Sequence, residues 1–258
     1  MKITRKEFLK LSGAGLLVLL GGDGLLTLER PGQASADNKA TILPRKQLAM
    51  LVDTKKCAKD RGCTECINAC NAAHNIPSIP DKAHQIKWIW TEPVDKVFNS
   101  DDTRFLDPSR QDEPIPVLCN HCDEPPCVRV CPTGATWKRK EDGIVMMDWH
   151  RCIGCRYCMA ACPYGSRSFD WVDPRPYIQN LNPDFPTRTK GVVEKCTFCY
   201  ERLAVGKLPA CVEACPERAL LFGDVNDPES EIRKILATRY ILRRRPELGT
   251  GPNIYYLM

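Results

Sequence analysis

Cys152-Ile153-Gly154-Cys155-Arg156-Tyr157-Cys158-Met159-Ala160-Ala161-Cys162-Pro163 decides how the rest of the chain is read. Three cysteines two residues apart sit on one tight loop, so their thiols converge on one small volume. The fourth is expected at the start of a helix and points elsewhere. Proline after it ends the helical turn and redirects the chain. Three thiols on one target and a fourth aimed at another is the arrangement of two neighbouring metal clusters that exchange ligands.

Three further groups account for every other cysteine: Cys57-x5-Cys63-x2-Cys66-x3-Cys70, Cys119-x2-Cys122-x4-Cys127-x3-Cys131-Pro132, and Cys196-x2-Cys199-x11-Cys211-x3-Cys215-Pro216. Disulfides and structural zinc compete for so many thiols. A chain of 258 residues does not need stapling, and zinc asks for two pairs of two rather than three plus one followed by proline. Four [4Fe-4S] clusters are therefore the expected cofactors. The first group is the irregular one, since its opening spacing is three residues longer and Cys70 is followed by Asn71. Gly62 is expected to turn the backbone sharply so that the insertion loops out.

An internal repeat runs through the groups. Pro126-Cys127-Val128-Arg129-Val130-Cys131-Pro132 is echoed by Ala210-Cys211-Val212-Glu213-Ala214-Cys215-Pro216, each followed by a short apolar strand. In the first copy Ala135 to Lys138 and Ile144 to Met147 flank Asp142-Gly143, a hairpin signal. In the second the strand is Ala219 to Phe222, ended by Gly223-Asp224.

The formal charge is +5, and thiolate-held clusters move the balance to the acidic side, so a nucleic-acid-binding reading has little support. The G-x-G-x-x-G fingerprint is absent from the sequence, as is a catalytic constellation. A non-catalytic electron carrier is the expectation.

Residues 1–36 read as an export signal. Lys2, Arg5, Lys6 and Lys10 precede the apolar run Leu11 to Leu20, and Ala34-Ser35-Ala36 forms a small-residue cleavage pattern. Thr4-Arg5-Lys6-Glu7-Phe8-Leu9-Lys10 is similar to the twin-arginine motif, with lysine for the second arginine. A retained membrane anchor is the alternative.

The remaining signals are weaker. His121 and His150 lie beside cluster cysteines but read as packing or solvent-edge residues, while His74 and His84 have no informative spacing. Trp88, Trp90, Trp137, Trp149 and Trp171 read as packing around clusters. Ile86 to Trp90 is expected in a strand, and Asn99 to Pro116 in a surface loop. Ser230 to Leu242 has helical spacing, with Ile232, Ile235, Leu236 and Tyr240 on one face. It ends in Arg243-Arg244-Arg245, read as a solvated helix end, with docking to an acidic partner or lipid headgroups as the alternative.

Over about residues 50–257 the chain resembles the four-cluster ferredoxin-like electron-transfer subunits of the polysulfide-reductase and NrfC type. The likeness rests on Pro116-Val117-Leu118-Cys119-Asn120-His121-Cys122-Asp123-Glu124-Pro125-Pro126-Cys127, on Glu194-Lys195-Cys196-Thr197-Phe198-Cys199-Tyr200-Glu201-Arg202, and on the closing Leu248-Gly249-Thr250-Gly251-Pro252-Asn253-Ile254-Tyr255-Tyr256-Leu257. With its own export signal, it is similar to the iron–sulfur subunits of Dsr-type membrane complexes.

The resemblance implies an α+β fold of tandem bacterial-ferredoxin-like modules, loop-rich and organised around four clusters. An outer module would span about 50–80 plus 190–225, an inner one about 115–172, and a C-terminal helix and tail 228–258, within a domain of residues 37–258. It further implies that Cys119, Cys122 and Cys127 share a cluster with Cys162, and Cys152, Cys155 and Cys158 with Cys131. Likewise Cys57, Cys63 and Cys66 go with Cys215, and Cys196, Cys199 and Cys211 with Cys70. The implied partners are an NrfD-type integral membrane quinone-interacting subunit and a periplasmic multihaem cytochrome c, at the outer face of the cytoplasmic membrane. A molybdenum-containing sulfur or nitrogen oxyanion reductase is the alternative assembly.

Overall fold

A computed structural model of the chain describes residues 45–99, 103–104 and 106–258. The expected export signal or anchor, residues 1–36, lies outside the described residues. The strands are β1 (Leu48–Asp53), β2 (Ile89–Pro93), β3 (Pro114–Leu118), β4 (Thr136–Lys138), β5 (Val145–Met147), β6 (Ser168–Phe169), β7 (Val193–Glu194), β8 (Leu220–Asp224), β9 (Ile241–Leu242) and β10 (Ile254–Leu257). The helices are α1 (Thr54–Cys57), α2 (Glu65–Ala73), α3 (Val94–Val97), α4 (Pro126–Arg129), α5 (Tyr157–Ala160), α6 (Tyr200–Ala204), α7 (Ala210–Glu213) and α8 (Glu231–Thr238). Small sheets, short helices and long connections make a loop-rich α+β chain of the ferredoxin-like kind.

One four-stranded sheet, ordered β8-β1-β10-β9, closes the ends of the described chain together. β1 runs parallel to β10, with Met50 opposite Ile254, and antiparallel to β8, with Met50 opposite Phe222. Successive side chains alternate faces. Met50 and Val52 therefore join a core containing Trp88, Phe198 and Tyr256, while Ala49 and Leu51 join Val225, Ile232 and Leu257. Both faces are covered, which is why this strand reads as a continuous apolar run.

Helix α8 supplies the second cover. Ser230 caps it by accepting from the Arg233 N–H at 3.3 Å. Ile232 packs so closely on β8 that a Cβ at Gly223 would lie 3.0 Å from Ile232 Cγ2. Strand β8 therefore continues through Gly223-Asp224 rather than ending there, and Asp224 pairs with Leu48.

The structure corrects the expected C-terminal helix. It stops at Thr238, Tyr240 is 68% exposed, and Ile241–Leu242 turns into β9 on the edge of the sheet. Arg243-Arg244-Arg245 is consequently no helix end: Arg244 is buried, Arg243 lies over the Tyr255 ring, and Arg245 donates to the Pro163 carbonyl at 2.8 Å.

Strand β2 begins at Ile89, later than expected, and pairs antiparallel with β3, Glu92 opposite Ile115. The expected surface loop ending at Pro116 thus gives way to a strand, because Ile115 is fully buried in the core. The β4–β5 hairpin forms as expected, with Gly143 at φ +76°. Helix α4 packs on α5, and α2 on α7, each helix carrying a cysteine. Among the described residues no helix is long and apolar enough to cross a membrane.

Candidate metal centres

Three of the four cysteine groups open on a Cys-x2-Cys loop, and these three share one backbone device. The residue before the second cysteine is left-handed in each: His121 at φ +42°, Gly154 at φ +69° and Phe198 at φ +55°. A left-handed residue reverses the chain within one step and so turns the two thiols toward the same side. At Gly154 a side chain would also run into the Gly191 carbonyl. His121 and Phe198 carry the conformation against its cost because they are stacked on each other, ring centroids 3.7 Å apart. Gly62, at the matching place in the first group, is not left-handed. There the turn is made by Asp60, whose carboxylate accepts from the Gly62 N–H at 3.1 Å and whose carbonyl accepts from Cys63 N–H at 3.2 Å.

The next cysteine has a fixed place too. Cys66, Cys127, Cys158 and Cys211 are each the second residue of a short helix. Cys131, Cys162 and Cys215 lie two residues beyond the ends of α4, α5 and α7, so the last cysteine follows a helix instead of opening one. The last thiol thus stands beyond the helix that carries the third, whereas the spacing alone places it at the opposite helix end. Cys70 differs, because α2 continues past it to Ala73.

All sixteen thiols are unpaired, and two groups of four each line a common space. Cys57, Cys63, Cys66 and Cys215 line a cavity of about 290 Å³ walled by Pro114, Pro116 and Leu220. Burial pushes the Cys57 thiol up to about 11, helped by the charges of Cys215 and Cys63, and pushes Cys66 up to about 12. Cys131, Cys152, Cys155 and Cys158 line a second, smaller space beside Met147 and Val193. Burial raises Cys122 to about 12, with further contributions from Cys119, Cys127 and Cys162. Cys196 and Cys211 are raised well above the thiol range by burial and then by Cys70. Electrostatic reach also links Cys66 to Cys211, Cys119 to Cys196, and Cys127 to Cys158.

Backbone N–H groups aim at several sulfurs. Phe198 N–H donates to Cys196 Sγ at 3.4 Å, Ala210 N–H to Cys199 Sγ at 3.4 Å, and Ala219 N–H to Cys215 Sγ at 3.2 Å. At Cys131, burial acts upward, but the N–H groups of Thr136, Thr133 and Ala135 and the Thr133 hydroxyl outweigh it and lower the thiol. Such bonds favour the thiolate and tune a bound cluster.

The histidines divide sharply. His121 is fully buried rather than at a solvent edge; its Nδ1 accepts from the Val145 N–H at 3.0 Å, and burial, then Lys195 and Arg167, depress its pKa well below the usual range. His74, which had no informative spacing, proves to be a site residue. Its Nδ1 lies 2.9 Å from the Cys70 carbonyl and 3.6 Å from Cys70 Sγ, and its Nε2 is 3.0 Å from Glu201 Oε1. Both ring nitrogens face acceptors, and the helical i,i+4 step from Cys70 was the signal that could have found it. His74, Cys199 and Glu201 place ligand atoms within 4.8 Å of one another. His84 pairs with Asp81 at the surface, and His150 is exposed.

The tryptophans divide as well. Trp88 is buried, stacked near His74 and Trp149, and donates to Glu194 Oε2 at 2.8 Å. Trp137 and Trp171 are more than a third exposed and are not core packing. Beside Trp88, Arg188 and Glu194 form a fully buried ion pair at 2.8 Å. Asp170 faces Glu194, and burial together with that carboxylate pushes it up to about 9.

Sixteen unoxidised thiols, half of them buried and several furnished with N–H donors, fit thiolate ligation of iron–sulfur clusters. Left as free thiols they gain little from this arrangement, whereas a bound cation reverses the cost of ionising them.

Comparison with known proteins agrees. A model of the 4Fe-4S dicluster domain matches residues 113–175 and 180–225. The Hdr-like menaquinol oxidoreductase iron–sulfur subunit 1 of Archaeoglobus fulgidus is 38% identical over 278 aligned positions, covering 98% of this chain and 97% of that one. The NrfC homolog of Haemophilus influenzae is 35% identical, covering 98% and 94%. One of the subunits of tetrathionate reductase from Salmonella typhimurium is 35% identical, covering 100% and 89%. Sixteen cysteines with this domain match fit four [4Fe-4S] clusters.

Proposed function

The chain belongs to the NrfC and polysulfide-reductase type of iron–sulfur electron-transfer subunits, and from that premise we propose that it is the DsrO-like subunit of a Dsr-type respiratory complex. In this reading it works between an NrfD-type integral membrane quinone-interacting subunit and a periplasmic multihaem cytochrome c, at the outer face of the cytoplasmic membrane. The observation that carries it is the end-to-end match to a menaquinol oxidoreductase iron–sulfur subunit. The export-signal pattern of residues 1–36 supports the location.

When bound, four [4Fe-4S] clusters would supply one-electron carriers. The ligand sets we assign are Cys57, Cys63, Cys66 and Cys215; Cys196, Cys199, Cys211 and Cys70; Cys119, Cys122, Cys127 and Cys162; and Cys152, Cys155, Cys158 and Cys131. Support for them comes from the shared cavities and from the mutual charge effects between their thiols. The Cys66–Cys211, Cys119–Cys196 and Cys127–Cys158 neighbours favour a single file in that order. The tandem outer and inner modules, with boundaries near 50–80 plus 190–225 and near 115–172, are supported by the matching packing of α2 on α7 and of α4 on α5. The protein's own work is to shield these thiols from water and to place N–H donors on several of them.

A second reading, the electron-transfer subunit of a molybdenum-containing sulfur or nitrogen oxyanion reductase, is favoured by the likeness to the tetrathionate reductase chain. Purification of the tagged chain from membranes in mild detergent separates the two. Recovery with an integral membrane subunit and c-type haem absorbance is the expected result. Recovery with a large molybdenum-bearing chain and no haem replaces the first reading by the second.

A further inference from the structure

The N-terminal approach to β1 and the β4–β5 hairpin meet around a cavity of about 320 Å³ that no cysteine lines. Its walls carry five cations, Arg45, Lys46, Lys138, Arg139 and Lys140, together with the Gln47 amide, and no carboxylate. In the sequence these are two separate basic runs; the fold makes them one site. Leu48 N–H donates to the Asp142 carbonyl at 2.9 Å, Gln47 N–H to Asp224 Oδ1 at 2.9 Å, and Asn226 Nδ2 to the Arg45 carbonyl at 2.6 Å. Gly143 lets Gln47 lie against the hairpin, because a Cβ there would collide with the Gln47 amide.

Like charges gathered around one space repel, and the chain balances only part of this set. Lys138 is paired with Asp123 at 3.0 Å, and Arg139 with Asp142 at 3.1 Å, Glu141 lying 4.0 Å from Arg139. The other neighbouring carboxylate, Asp224, is taken up by the N–H groups of Gln47 and Asn226. Among the described residues Arg45, Lys46 and Lys140 are in no ion pair, and all three are exposed at the cavity mouth. Three uncompensated cations around a walled space are complementary to a compact anion. A guanidinium offers phosphate oxygens two parallel N–H groups, and each ammonium adds a point charge.

We propose that this cavity is a phosphate-binding site, in which Arg45, Lys46 and Lys140 hold the phosphate group of an anionic lipid headgroup or a free phosphate ion. Arg45 is the first described residue and follows closely on the export signal or anchor expected over residues 1–36. Basic groups in such a place are drawn to anionic headgroups. The phosphate site stands whether or not the chain serves a Dsr-type complex; a membrane source for the phosphate rests on that reading.

The test uses the full chain, purified anaerobically with its clusters, and two probes in phosphate-free buffer. Inorganic phosphate is titrated by calorimetry, and vesicles of phosphatidylcholine, with or without an equal part of phosphatidylglycerol, are sedimented with the protein. The cavity variant combines Arg45→Gln, Lys46→Gln and Lys140→Gln. A control of equal charge combines Lys82→Gln, Lys87→Gln and Lys190→Gln, all exposed and outside the cavity. Wild type is expected to bind at least one probe, the cavity variant to bind it at least tenfold more weakly, and the control to match wild type. Saturable uptake of inorganic phosphate identifies a free ion as ligand, and retention on the phosphatidylglycerol vesicles alone identifies the headgroup. Binding to neither probe overturns the proposal, and so does equal weakening in the control, which would reduce the attraction to diffuse charge. Lys140→Gln alone should weaken binding at least threefold, and it keeps the site testable should the combined variant lose iron.

Discussion

The ring of His121 lies flat on the ring of Phe198, 3.7 Å between centroids and 19° from parallel. They come from two cysteine pairs 77 positions apart in the numbering, each standing just before the second cysteine in a left-handed backbone. The stack ties two ligand loops to each other. It also explains how non-glycine residues hold a conformation that costs roughly 1–2 kcal/mol apiece.

Truncating that contact should loosen both loops. His121→Ala removes the stack and the acceptor for the Val145 N–H, an expected loss of about 2–4 kcal/mol. Thermal unfolding of the loaded chain checks it, and a melting temperature equal to wild type would show that the loops do not depend on this pair.

Gly154→Ala is expected to be far more harmful than Gly206→Ala, although both glycines have positive φ, +69° and +76°. At Gly206 nothing lies within 4 Å of the added carbon, so the cost is the left-handed penalty alone, about 1–2 kcal/mol. At Gly154 the same carbon collides with the Gly191 carbonyl. Iron per chain should fall in Gly154→Ala and stay at the wild-type value in Gly206→Ala; equal loading would refute the close approach.

Asp170 makes a pH signature. Burial and Glu194 raise it to about 9, whereas the unfolded chain releases that proton near pH 4. Between those values the folded state binds more protons than the unfolded one, so stability falls as pH rises. Asp170→Asn should remove this slope, leaving the variant's advantage larger at pH 8.5 than at pH 5. Parallel unfolding curves of the two proteins across that range would contradict it.

Ligand sharing can be read by counting iron. Cys63→Ser and Cys215→Ser should each lower iron by about four atoms per chain, and the double variant by no more than either alone, if both serve one cubane. Cys63→Ser combined with Cys131→Ser should lower it by about eight. Additive loss in the first pair would separate Cys63 from Cys215.

The cofactor chemistry, the repeat, and the hairpin at Asp142-Gly143 were legible in the order of residues, because ligand spacing and turn residues act over a few positions where the backbone leaves little choice. The same local logic failed at Gly62, where Asp60 makes the turn, and at Arg244, read as solvated at a helix end. Which thiols from different groups meet, why His74 belongs beside Glu201, and that Arg167 and Arg244 lie in the interior emerge only once the chain has folded. Those relationships join residues from dozens to more than a hundred positions apart, and their energies come from burial and from charge in a medium of low polarity. Neither exists until β1 has closed against β8 and β10 and the ligand loops have been folded onto one another.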